Sequence, residues 1–209
     1  MKKLFPVFVM CAVLLAGCGF AGENYRNYVT AILDCTYHGE SSAYCELTNT
    51  SELSADAIWQ TEFQELNQMI FDTYGIRTDL ISEETREGYQ RLTKMLLMKT
   101  KYNVRDVMHE NQTYTVVLVL SPFDFWEISQ EKVRKYYYSE FFRNFRTAPT
   151  QADADKLEQE YASRILEILT DSAEHLDYLE PVVYTCTIQN NTVSAEDWQA
   201  IDRILLNLE

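Results

Sequence analysis

From Tyr25 onward the apolar positions recur at helical spacing. Tyr25, Tyr28, Val29, Ile32, Leu33 and Thr36 form one stripe, with Cys35 at its edge and Gly39 as a stop. A short turn over Ser42 to Thr48 carries Tyr44, Cys45 and Leu47. Ser54 is placed to cap a longer helix with Ile58, Trp59, Phe63, Leu66, Ile70 and Tyr74, ended by Gly75. Ser82 caps the next, where Glu83 and Glu84 suit the positive end of the helix dipole and Tyr89, Leu92 and Leu96 mark a face. At Tyr102 the period changes. Residues 102–109 read as a strand, Glu110-Asn111-Gln112 as a turn, and 113–121 as a second strand with Tyr114, Val116, Leu118 and Leu120 on one face. Val117 and Val119 predict cover on the other face too.

After Pro122, helical spacing returns with Val133, Tyr136, Tyr137, Phe141 and Phe145, stops near Pro149, and restarts from Thr150 through Leu157, Tyr161, Ile165, Leu169 and Leu176. Val182, Tyr184, Cys186 and Ile188 alternate as a third strand, Asn190-Asn191 turns, and Ser194 opens an amphipathic helix with Trp198, Ile201, Leu205 and Leu208. The pattern predicts an α+β fold: a helix-rich single domain at 25–209 with a small antiparallel sheet, made of the hairpin 102–121 plus the strand 182–189. A sheet packed on helices in this way also resembles the cone of NTF2-like proteins, an alternative that needs a wider curved sheet.

The first residues follow another logic. Lys2 and Lys3 precede an apolar run from Leu4 to Leu15, interrupted by Pro6 and shorter than the ~20 residues a spanning helix needs. Leu15-Ala16-Gly17-Cys18 then resembles the bacterial lipobox. That resemblance implies a signal peptide at 1–17, cleavage before Cys18, diacylglyceryl attachment to the Cys18 thiol with palmitate as an acyl chain of the lipidated cysteine, and a short tether at 18–24. The expected location is the outer, extracytoplasmic face of the cell membrane, with the lipid on Cys18 as the membrane contact.

Charge narrows the partners. The chain carries a formal net charge of -14, which becomes -16 once Lys2 and Lys3 leave with the signal. So acidic a domain is a poor match for nucleic acid, whose phosphates are held by Lys and Arg clusters. Cys11 leaves with the signal and Cys18 is the lipid site, so Cys35, Cys45 and Cys186 remain. Cys35 and Cys45 could close a local disulfide, or all three could be buried thiols acting as small hydrophobes.

Little in the sequence carries catalytic chemistry. His38, His109 and His175 lack a second ligand at metal-site spacing, and neither HExxH nor paired CxxC occurs. GxSxG and phosphate-cradling glycine loops are missing as well. Ser129-Gln130-Glu131-Lys132 matches the SxxK spacing of penicillin-interacting serine enzymes without their SDN and KTG companions, and Ser129 is more simply a helix cap. The pairs Asp153 with Asp155 and Asp124 with Glu127 sit at helix starts, where carboxylates belong for dipole and capping reasons. No catalytic residue, cofactor or metal is therefore assigned. The aromatics give one binding hint: Trp126, Tyr138 and Phe142, left over from the core-facing stripe, could form an interaction patch.

Short motifs across most of the mature chain are similar to a family of lipoproteins of unassigned function from Gram-positive, largely anaerobic bacteria. They are Tyr28-Val29 with Ile32-Leu33-Asp34, then Tyr37 and Gly39; Ile81-Ser82-Glu83-Glu84 ahead of Tyr89; Lys101-Tyr102-x-Val104; and Tyr114-Thr115-Val116. The resemblance implies the location and no reaction, and Cys35 and Cys45 depart from the family's small or apolar residues there. The expectation is a lipid-anchored extracytoplasmic binding or accessory module, not an enzyme, that meets a protein, peptide or envelope ligand at the membrane surface. An envelope hydrolase whose site is assembled from distant residues is the alternative.

Overall fold

The structure, a computed structural model, describes residues 22–110, 113–189 and 192–208 of the 209. Cys18 and the segment before it lie outside the described residues, as do residues 111–112 and 190–191, where the sequence predicts turns.

Helix α1 (Gly22–Leu33) continues into a π-helical turn, Asp34–His38, that Gly39 closes at φ 70. Then come α2 (Ser42–Thr48), α3 (Glu52–Tyr74) and α4 (Glu83–Met98). Strands β1 (Lys101–Glu110) and β2 (Thr113–Ser121) follow, and after them α5 (Phe125–Tyr136), a second π-helical turn Tyr137–Phe141, α6 (Phe142–Arg146) and α7 (Gln151–Glu174). The chain closes with β3 (Val182–Gln189), the two-residue β4 (Thr192–Val193) and α8 (Ala195–Leu205).

The helix starts are chemical. Ser51, Ser82, Thr150 and Ser194 each accept a hydrogen bond from the backbone N–H three residues on, which satisfies one of the unpaired donors of the first turn. The cap of α3 is thus Ser51 and not Ser54. Ser129 caps nothing: α5 has already begun at Phe125, and the Ser129 hydroxyl is buried in its second turn, bonded to the Phe125 carbonyl and to the Tyr74 hydroxyl at 2.6 Å. Lys132 is turned outward to Asp171 at 2.8 Å, so the SxxK spacing builds no nucleophile pair.

The sheet is antiparallel in the order β1-β2-β3-β4. Its three long strands confirm the α+β reading, and they do not make the broad curved sheet of a cone. On central β2, Val116, Leu118 and Leu120 are buried while Val117 and Val119 are half-buried, so cover on the second face is partial. A bulge in β1 between Val104 and Asp106 leaves the Arg105 carbonyl free to accept from the Arg26 guanidinium of α1 at 2.9 Å.

Helix α1 lies along β1, and α8 lies against β2 and β3. The α1 direction is fixed by three contacts: Tyr25 stacks on Tyr114 near the hairpin turn, Arg26 meets Arg105, and Asp34 meets Tyr102. The remaining long helices pack on one another, with α3 against α4 and α7 against both α4 and α5. At the α4–α7 crossing Gly88 lets the backbone approach, since a Cβ there would stand 2.3 Å from Leu166 Cδ2. One continuous apolar core, including Leu33, Tyr37, Leu66, Tyr89, Leu96, Leu118 and Phe125, runs through both groups of helices.

Candidate functional site

The first π-helical turn, at the junction of α1, α3, α8 and the start of β1, is where polar chemistry concentrates. One extra residue per turn changes the phase of the helix, and such turns recur at functional sites. Here Cys35, Thr36 and Tyr37 point inward and are buried, while Asp34 and His38, one turn apart, face Tyr102 at the start of β1.

The outward face is a hydrogen-bonded chain. The Tyr102 hydroxyl donates to Asp34 Oδ1 at 2.7 Å and lies 3.2 Å from His38 Nδ1. The His38 ring stacks over Tyr102 with centroids 5.3 Å apart, and its Nε2 is 3.3 Å from both the carbonyl and the hydroxyl of Thr100. That Thr100 hydroxyl donates its own proton to Leu97, just as Tyr102 donates to Asp34. Asp34 Oδ1 lies 3.9 Å from His38 Nδ1. Burial, then the bond to Asp34, raises the Tyr102 hydroxyl above the usual tyrosine range and keeps it neutral. These groups wall a cleft of about 440 Å³, completed by Thr30, Lys101, Asn103 and Val104. The Lys101 ammonium lies 3.5 Å over the Tyr178 ring.

The inward face carries a second tyrosine–acid pair. Tyr37, fully buried, donates to Asp202 of α8, and its ring lies 5.9 Å from that of Tyr102. Behind it Glu62 of α3 is 4% exposed, and its Oε2 has no hydrogen-bond partner. Trp59 Nε1, one turn earlier, is likewise buried without an acceptor, with its ring lying over Gly39. Burial raises the Glu62 carboxyl well above the carboxylate range, aided by Asp202 and Glu65; burial also pushes Asp202 up to about 7. In so dry a place the uncharged acid is the stable form.

A shallower groove of about 350 Å³ runs between the start of α4 and α7, lined by Ser82, Thr85, Ser163, Arg164 and Glu167, with Arg164 paired to Glu167. Among the described residues no three His, Cys, Asp or Glu side chains converge as metal ligands.

The residues singled out by sequence fall in different places. Cys18 lies outside the described residues. Cys35 and Cys45 are free thiols and so is Cys186; Cys35 donates to the Ala55 carbonyl at 3.4 Å, and burial pushes its pKa up to about 11 and that of Cys186 to about 12. Trp126 does not belong to an exposed patch. It is buried, its indole N–H donates to the Leu206 carbonyl at 2.7 Å, and its ring stacks on Tyr74. Tyr138 and Phe142 are exposed, together with Phe145. The cleft itself was missed, although Asp34 and His38 at i and i+4 on one helix end were a legible pair.

Neither a protein-family model nor a curated protein matches the chain. Among solved structures, the crystal structure of ycdA from Bacillus subtilis, described as a candidate lipoprotein, is similar over 88% of this chain and 56% of its own, with a TM-score of 0.52 and 9% identity. The chain thus spans little more than half the length of that protein. At this identity the likeness is one of fold.

Proposed function

We propose that this protein is a lipid-anchored extracytoplasmic module, held to the outer face of the cell membrane through Cys18, that binds a ligand or partner there. The observation that carries the reading is the Lys2-Lys3 start, the short apolar run and the Leu15-Ala16-Gly17-Cys18 junction, placed four residues before the described fold begins at Gly22. The fold likeness to a Bacillus subtilis candidate lipoprotein supports it. Among the described residues no helix is long and apolar enough to cross a membrane. Two or more acyl chains suffice for stable anchoring, at roughly 0.8 kcal/mol per buried methylene.

Binding is favoured over catalysis by the cleft. Both nitrogens of His38 are held within the fold, by Tyr102 and by Thr100, an arrangement that supports a fixed binding wall. What the cleft offers a ligand is a fixed polar wall of Asp34, His38, Thr100 and Tyr102. The convergence of Asp34, His38 and Tyr102 is the observation that favours the second reading, an envelope hydrolase. Metabolic labelling with a palmitate analogue tests the anchoring: label on the wild-type chain, lost in Cys18→Ala and blocked at the precursor stage by globomycin, supports it. An ester, amide and phosphoester substrate panel tests the second reading, which predicts turnover that His38→Ala abolishes.

A further inference from the structure

Residues 132–146 depart from the rest of the chain. Lys132, Arg134, Lys135, Arg143 and Arg146 stand against the single acid Glu140, a net +4 within a mature chain of -16. Lys132 is tied to Asp171, whereas Arg134, Lys135, Arg143 and Arg146 form no ion pair with a described residue. The second π-helical turn divides the rings. Phe141 turns inward onto Tyr161 at 4.4 Å and Tyr137 is half-buried beside it, while Tyr138 (69% exposed), Phe142 (39%) and Phe145 (37%) face outward at spacings of four and three. Helix α6 buries none of its residues yet holds two phenylalanines, and Arg146 sits 5.6 Å over the Phe142 ring. The three rings rest against Tyr137 and Phe141 and still leave apolar surface exposed beside cations that no ion pair among the described residues neutralises.

We infer that this basic, aromatic arm is a docking surface for an anionic lipid bilayer. The inference rests on the placement of the domain at the membrane surface and names the face that meets it. Charge complementarity selects the occupant: the rest of the mature chain is strongly acidic and is repelled by anionic headgroups, whereas the arm presents four free cations to phosphates and three rings to the headgroup–acyl boundary. A second basic stretch, Arg91 to Arg105, contains no acid but has no exposed ring beside its cations. Lipid on Cys18 and the arm then make two attachments, and together they fix the orientation of a domain that the tether alone would let turn.

The test uses the unlipidated chain from Gly19, which keeps every described element, so that anchoring through Cys18 plays no part. In co-sedimentation, vesicles of phosphatidylcholine with phosphatidylglycerol should bind it at least about tenfold better than phosphatidylcholine alone. The binding should disappear near 1 M salt, where the screening length falls to about 3 Å. Replacing Arg134, Lys135, Arg143 and Arg146 by Glu, or Tyr138, Phe142 and Phe145 by Ser, should each abolish it, while Lys94→Glu with Lys99→Glu should not. The salt series on the unaltered chain gives a reading that needs no variant. Equal binding to both vesicles, no binding, or binding that the arm variants leave intact overturns the inference. So does concentration-dependent self-association in ultracentrifugation that the arm variants remove, which would make a second copy the occupant. None of these results bears on lipidation, which the labelling of Cys18→Ala decides separately.

Discussion

Glu62 occupies a position that apolar residues hold elsewhere on α3: Leu66, Ile70 and Tyr74 follow it at intervals of four, all buried. An acid in that stripe has no water to ionise into, and its unpartnered Oε2 leaves the charged form uncompensated. Its raised pKa, with that of Asp202 at about 7, sets the direction of a pH dependence. An unfolded carboxyl titrates near 4. Between that value and about 7 the unfolded chain has released protons that the folded chain still holds, so stability falls as pH rises through this window. Below it the stabilising contribution is fully present. Urea midpoints should therefore be higher near pH 5 than near pH 8, and Glu62→Gln should flatten the dependence and stabilise the chain at pH 8 by of the order of 1 kcal/mol. A midpoint that rises with pH would contradict this. At the cleft, Tyr102→Phe removes the donor to Asp34 and the partner of His38, and should lower stability by about 1–2 kcal/mol in the same assay.

Helices and strands were largely legible because their signals are local. Alternation gave 113–121, glycine stops gave the ends at Gly39 and Gly75, and Ser82, Thr150 and Ser194 cap as their positions predict. The misplaced features are those decided by distant partners. Nothing local separates Ser129 from a cap; Tyr74, from 55 residues earlier, receives it in the interior. Trp126 stands beside Phe123 and Phe125 in sequence, and its burial is completed by the Leu206 carbonyl 80 residues later. The cleft likewise needs Tyr102 and Thr100 to meet Asp34 and His38 across more than 60 residues. The glycine stops can be tested as backbone effects. Gly75 holds φ 64 with no atom within 4 Å of the point a Cβ would occupy, so Gly75→Ala should cost only the left-handed conformation, about 1 kcal/mol. Gly39→Ala, at φ 70 with the Trp59 ring at a contact distance of 3.4 Å, should cost a similar amount in the same denaturation series.

For the whole molecule, the direction of α1 ties the proposed anchor to the fold. Its N-terminus lies at the hairpin end of the sheet, through Tyr25 on Tyr114, and the cleft begins about 18 Å along the helix, at 1.5 Å per residue from Gly22 to Asp34. With only residues 19–21 between the proposed anchor at Cys18 and α1, a reach of at most about 11 Å, any ligand of the cleft is met close to the bilayer. All of this depends on the mature chain beginning at a lipidated cysteine. The most direct measurement is mass spectrometry of the N-terminal tryptic peptide from membranes of a bacterial host. The account predicts a peptide running from Cys18 to Arg26 with diacylglyceryl on the thiol. An unmodified peptide, or a mature chain that starts anywhere but Cys18, would contradict it.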